Sequence, residues 1–170
     1  MTSQHIYEKA QRLLNRTETR NPVKIAKELG INVMYRDDFT KLKGVYKIVL
    51  GHHYFFINRN LDEFEQRVVL AHELGHFALH QKILSSALLL EIMLYDVKNR
   101  VEYEANAFAA EILIDDDEVI ELIEDGLDES GIASTLGVSV DLLLIKVGEM
   151  NRRGYELTMS RVGCGDFLRG

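Results

Sequence analysis

Apolar residues recur along this chain with two different periods, and the switches between them mark its elements. Residues 4–15 are polar and amphipathic at helical spacing. A second helix is expected over residues 22–29, opened by Asn21 as cap with Pro22 at its first position and closed by Gly30. The pattern then turns β-branched and aromatic. Residues 31–35, 44–50 and 53–58 predict three strands of a small antiparallel sheet, separated by turn-like clusters at Asp37-Asp38 and Gly51-His52, with His52 and His53 as solvated residues of the hairpin turn. From Leu61 to His80 only Gly75 breaks a helical run, and between Val68 and Leu79 nearly everything except His72, Glu73 and His76 is apolar. A helix that is apolar almost all round belongs in the interior.

Downstream, residues 83–95 form the longest apolar segment, broken by Ser85, Ser86 and Glu91. It is shorter than the ~20 residues that cross a bilayer and is expected to be a helix covering a cleft, partly exposed to a partner. Residues 100–114 wind as a helix with Arg100, Glu104, Glu111 and Asp115 in one charged stripe, expected to be the solvated face. Residues 115–129 read as an acidic amphipathic helix. Residues 132–141 followed by 142–150 read as a helix-turn-helix, the second helix capped by Ser139 or Asp141.

The chemistry lies in His72-Glu73-Leu74-Gly75-His76, an H-E-x-x-H pattern inside the buried helix. Two histidines four residues apart lie one turn apart on one face, close enough to grip one metal ion. Burying two imidazoles and a carboxylate is costly unless something satisfies them, and zinc does so for all three. The competing reading is a core helix whose histidines merely hydrogen-bond neighbours. Glu73 stands one step round from His72, where a carboxylate could take a proton from a metal-bound water. A catalytic zinc takes three protein ligands and leaves a place for water. His80 fails as the third: eight residues of helix rise about 12 Å, whereas two zinc-bound nitrogens lie no more than about 4 Å apart. It is expected to be a neighbour of the site or a helix C-terminal cation. Glu102 is the better candidate, because it falls opposite the charged stripe, on a face shared with Asn106, Ala109 and Leu113. Asn106, one turn on, is placed to hydrogen-bond the other nitrogen of a ligating histidine. The alternative makes Glu102 and Glu104 both surface charges of a fraying helix.

Composition narrows the classes. A chain of 170 residues, 46% of them hydrophobic, is expected to form one domain, with a core over 1–114 and a helical segment over 115–170 packed on it. Cys164 is the only cysteine, so no internal disulfide can form; without a signal-peptide pattern in residues 1–20 the protein is expected in the cytoplasm. A net charge of −7 argues against a nucleic-acid surface, and Leu142-Leu143-Leu144-Ile145 offers apolar side chains where a recognition helix needs polar ones. Gly163-Cys164-Gly165-Asp166 matches a metal-capping cysteine switch poorly in order and spacing, and a lone cysteine between glycines is expected to be inert.

With these residues in place, the chain resembles the ImmA/IrrE metallopeptidases. The H-E-L-G-H helix with Leu79-His80, the run from Glu102 through Glu104-Ala105-Asn106 to Glu111, the stretch 21–31, and Gly44-Val45-Tyr46 all carry the likeness. The resemblance implies an α+β zincin-like fold, one zinc per chain on His72, His76 and Glu102, and Glu73 as catalytic base. It also implies an intracellular protease, often of temperate phages or mobile elements, that inactivates a helix-turn-helix repressor. No second oxyanion donor stands out; Tyr46, His53 and Tyr155 are candidates. Two other classes stay open: a zinc-containing regulator that grips its partner without cutting it, and a DNA-binding regulator using residues 133–150.

Overall fold

The computed structural model describes residues 1–84 and 95–158, with side chains left out at 82–84 and 95–98. It divides into two compact units, Met1–Leu113 and Ile114–Gly170.

The first unit begins with α1 (Ser3–Thr17), capped by the Thr2 hydroxyl and burying Ile6, Ala10 and Leu14, one turn apart on one face. Helix α2 (Pro22–Glu28) starts as expected, with the Asn21 side chain accepting the amides of Val23 and Lys24. Strands β1 (Asn32–Arg36), β2 (Gly44–Val49) and β3 (His52–Asn58) form one sheet in the order β1-β3-β2. The β2–β3 hairpin is antiparallel, with Tyr46 opposite Phe55. It turns on Leu50 (φ 50°) and Gly51 (φ 80°), a pair of left-handed residues that suits the twist of a tight hairpin. The sheet is nevertheless mixed: β1 joins the other edge of β3 in parallel, so only one of the two pairings is antiparallel. Alternation along a strand reports which face is buried, not the direction of its neighbour, which is why this was not readable. Edge strand β2 is left with one side unpaired within the sheet.

Helix α3 (Glu63–Leu84) carries the H-E-x-x-H stretch and packs on the sheet, on α2 and on α4 (Tyr95–Leu113). Leu70, Ala71 and Leu74 on its inner face are fully buried, whereas Val68, Phe77, Ala78 and Leu79 are half-buried, so the helix is not enclosed all round. Most of the apolar segment 83–95 lies outside the described residues. The second unit holds α5 (Asp116–Glu124), α6 (Glu129–Leu136) and α7 (Val140–Arg152). The acidic helix expected over 115–129 is shorter: it ends at Gly126 (φ 80°), and Asp128 caps a new helix. Helices α6 and α7 are bent by 101° relative to each other, with Ser139 capping α7. Lys146, completely buried, and Arg153 both bind the Asp116 carboxylate, tying α7 to the start of α5. Among the described residues no single helix is long and apolar enough to cross a membrane.

Candidate metal centre

The helical period of α3 places His72 and His76 one above the other, with their Nε2 atoms 3.0 Å apart. Helix α4 crosses beside them and brings Glu102 alongside: its carboxylate oxygens lie 3.4 Å from His72 Nε2 and 3.6 Å from His76 Nε2. The crossing is close because Gly75 has no side chain. A Cβ there would stand 2.7 Å from the Ala105 carbonyl oxygen and 2.8 Å from its Cα, a backbone-on-backbone contact midway between the two histidines and the Glu102–Asn106 turn.

Asn106 fixes the chemistry of His72. Its Oδ1 can only accept, so His72 Nδ1 donates to it at 2.8 Å and the ring turns its Nε2 toward the triangle. Donor atoms of His72, His76 and Glu102 lie within 4.8 Å of one another. Ligand–ligand edges around a tetrahedral zinc, with bonds of about 2.0–2.1 Å, are about 3.3 Å. The triangle therefore fits a single metal ion with little adjustment. Its electrostatics ask for a positive charge at the same place. Burial would lower the His72 pKa, yet the hydrogen bond to Glu102 and the nearby Glu73 charge hold it above its ordinary value. Hydrogen bonds from His72 and His76 hold the Glu102 carboxyl far below the usual carboxylate range.

Glu73, one step round α3 from His72, lies against the start of β2. It is 5% exposed and accepts the backbone N–H of Tyr46; Gly44 leaves it room, since a Cβ there would come within 3.1 Å of its carboxylate and 2.4 Å of Val69 Cγ1. Burial pushes its pKa up, as suits a base that must accept a proton.

Several expectations need correction. Glu104 and Glu111 are not on a solvated stripe: both are buried, at 6% and 1% exposure, while the Glu102 side chain is 48% exposed at the cleft. The face argument assumed that α4 has one wet side, but from Glu104 to Ile114 every residue except Asn106 is buried. Glu104 faces His80, whose Nε2 lies 2.9 Å from its carboxylate. His80 is thus a buried neighbour of the centre, its ring 5.6 Å from that of His76, and not a helix-end cation. His53 is not a turn residue either. It lies within β3, where Nδ1 lies 2.6 Å from the Tyr46 hydroxyl and Nε2 lies 3.2 Å from the Gln81 amide nitrogen. Burial pushes the Tyr46 hydroxyl up to about 12, so it stays protonated. Both rings pack edge-on to Phe77, the residue after His76. Tyr46 is therefore a support beneath Glu73 more than an open donor to substrate, a role that a single aromatic in a strand gave no means of foreseeing. Tyr155 lies in the second unit, with Arg153 over its ring, and Cys164 lies outside the described residues.

Comparison with known proteins adds a separate line of support. Residues 26–147 match the model of the Peptidase_M78 family, described as the IrrE N-terminal-like domain. Uncharacterized immunity region protein 2 of Bacillus phage phi105 is 34% identical over 136 residues, which cover 80% of this chain and 85% of that protein. Metallopeptidase ImmA of Bacillus subtilis (strain 168) is 27% identical over 175 aligned residues, covering 95% of this chain and 97% of that protein. The matched span contains the whole His72–His76–Glu102 triangle.

Proposed function

The chain belongs to the IrrE N-terminal-like family of peptidases, and from that premise we propose that it is a zinc-dependent endopeptidase of the cytoplasm. In this reading His72, His76 and Glu102 hold one zinc ion per chain, Glu73 is the general base, and Asn106 orients His72. The observation that carries it is the meeting of two imidazole nitrogens and a carboxylate beside a buried Glu73.

Bound zinc would polarise the scissile carbonyl and make the attacking water more acidic. The chain's own residues supply the rest. Glu73 takes the water's proton and later delivers it to the leaving amine, with the Tyr46 amide and the Gly44 backbone holding its carboxylate in place. An extended peptide would lie along the open side of β2, pairing through its backbone next to Glu73. Phe77, Tyr46 and His53 form the packed wall behind that strand.

The proposed substrate is a helix-turn-helix repressor of a phage or mobile element. One relative's name places it in a phage immunity region, which supports a phage regulatory protein as the substrate. Direct contact with nucleic acid is not part of this function: the net charge is −7, and the exposed residues of α7 include Asp141 and Leu144, with no row of cations. A regulator that binds without cutting has no use for Glu73, whose burial against β2 favours the enzyme.

Metal analysis of the purified protein tests the ligand set. The wild type should hold about one zinc per chain; Glu102→Ala should lose affinity by ~100-fold or more, and Asn106→Ala by about 10–100-fold. Full zinc occupancy in Glu102→Ala at submicromolar free zinc would show that the third ligand lies elsewhere.

A further inference from the structure

Away from the metal triangle, α1, the end of α2 and α3 enclose an open groove of about 380 Å³, lined by Lys9, Arg12, Leu13 and Arg16 from α1, by Leu29, and by Phe77 and Ala78 from α3. Its walls are charged and its floor is not. Arg12 and Arg16 are exposed and Lys9 is half-buried, whereas Leu13, Leu29, Phe77 and Ala78 are each half-buried and leave apolar surface open to the groove. Several cations of this acid-rich chain face carboxylates: Arg36 with Asp38, Lys43 with Glu65, Arg100 with Glu104, Arg153 with Asp116. The three around the groove do not. Lys9 donates to the Ala78 carbonyl at 3.1 Å and Arg12 Nε to the Glu8 carbonyl at 3.2 Å, and among the described residues none of the three pairs with a carboxylate.

We propose that this groove is a docking site for an acidic amphipathic segment of a partner protein, its apolar side chains on Leu13, Leu29 and Phe77 and its carboxylates on Lys9, Arg12 and Arg16. Two features choose this occupant. The cations run along about 10 Å of α1, one turn apart, so a compact anion reaches one or two of them while a helix with carboxylates one turn apart meets all three. The apolar floor suits an amphipathic helix, which brings leucines, and offers nothing to a phosphate backbone, which the net charge of −7 also repels. The groove is next to the centre yet separate from it. Phe77 follows His76 in sequence and packs edge-on to Tyr46 and His53, so a partner seated on Phe77 contacts the wall behind Glu73. Docking needs neither zinc nor cleavage, and its readout is binding.

Fluorescence anisotropy on the full chain, with a labelled helix-forming peptide carrying glutamates one turn apart beside a leucine face, tests the site. The peptide should bind at low salt, weaken as salt rises, and bind about tenfold or more weakly to the Arg12→Glu/Arg16→Glu variant, whose exposed substitutions should leave the circular dichroism spectrum unchanged. Phe77→Leu gives a second variant, expected to weaken the peptide while leaving its salt dependence intact. Absence of binding, equal binding to the charge-reversed protein, equal binding of the glutamine version of the peptide, or preferential binding of a single-stranded oligonucleotide or of octanoate at the same groove would each overturn the proposal.

Discussion

Glu102 and Glu104 stand two residues apart on α4 and have opposite surroundings. Glu102 opens on the cleft beside His72 and His76, and Glu104 is buried against His80, with Arg100 and the N-terminal ammonium also on its carboxylate. The face argument put Glu102 on an inward face and Glu104 on a solvated stripe, and their exposures are the other way round. Whether a charged residue is wet depends on what packs over it, and no periodicity within one helix contains that. His72, Glu73 and His76 were legible because their spacing alone fixes their geometry, and Asn106 because one turn of helix separates it from Glu102. A prediction at this scale follows from Glu104. Burial would raise its pKa, but the hydrogen bonds from His80, the N-terminal ammonium and Arg100 hold it at about 2, below its ordinary 4.5. Its ionised form therefore stabilises the fold fully above pH 4.5, and that contribution is lost as pH falls from there towards about 2. Burial lowers the His80 pKa below 6.5, so the fold prefers His80 neutral and acidification starts to act against it from that pH downward. In urea titrations Glu104→Gln should cost about 2 kcal/mol at neutral pH and show a shallower acid limb than wild type. An unchanged acid limb would assign the acid sensitivity to other groups.

At the scale of elements, two glycines do what side chains cannot. Gly75 lets α3 and α4 touch backbone to backbone at Ala105, and Gly44 lets β2 lie on Val69 and Glu73. They separate two jobs. Gly75→Ala should push α4 outward, cost about 1–3 kcal/mol, and weaken zinc binding by ~10-fold or more, because Glu102 and Asn106 travel with that helix. Gly44→Ala should leave zinc bound and lower cleavage, since it pushes β2 off Val69 and Glu73 while leaving the contact of α3 with α4 alone. Gly148, on α7 with nothing within 4 Å of an added Cβ, is the contrast: Gly148→Ala should stabilise by about 0.5–1 kcal/mol. Chelator competition and thermal melts on the three variants separate these outcomes, and an equal effect of Gly75→Ala and Gly44→Ala on zinc would refute the division. Most elements were readable to within a few residues, because caps such as Asn21 and Ser139 and the pattern change at Ile31 are local signals. Parallel pairing of β1 was not, since it depends on contacts between residues more than twenty apart in sequence, such as Val33 with Phe55. The close approach at Gly75 was equally hidden: a glycine in a helix reads as a flaw until the second helix is known.

For the whole molecule, the division at Leu113 and Ile114 puts the complete metal triangle in one unit, while the family match continues to residue 147. The proposed peptidase has to avoid general proteolysis, so substrate choice is expected to rest on docking beyond the cleft. Helix α5, with Asp117, Glu118, Glu121 and Glu124 exposed, is suited to a basic, DNA-binding protein. A chain ending at Leu113 should therefore keep zinc and helical circular dichroism but cut a cognate repressor at least ~10-fold more slowly; unchanged cleavage by the folded fragment would remove α5–α7 from substrate choice. The central claim, that this chain is a zinc peptidase using Glu73 as base, meets its most direct test in one time course. Wild type and Glu73→Gln, each with its zinc content measured, are incubated with a candidate helix-turn-helix repressor. The account predicts one cut in the repressor, little digestion of casein, loss of cleavage on chelation, and a Glu73→Gln protein that keeps about one zinc and the repressor's affinity while cleaving ~100-fold or more slowly. Cleavage by zinc-loaded Glu73→Gln at the wild-type rate would contradict it.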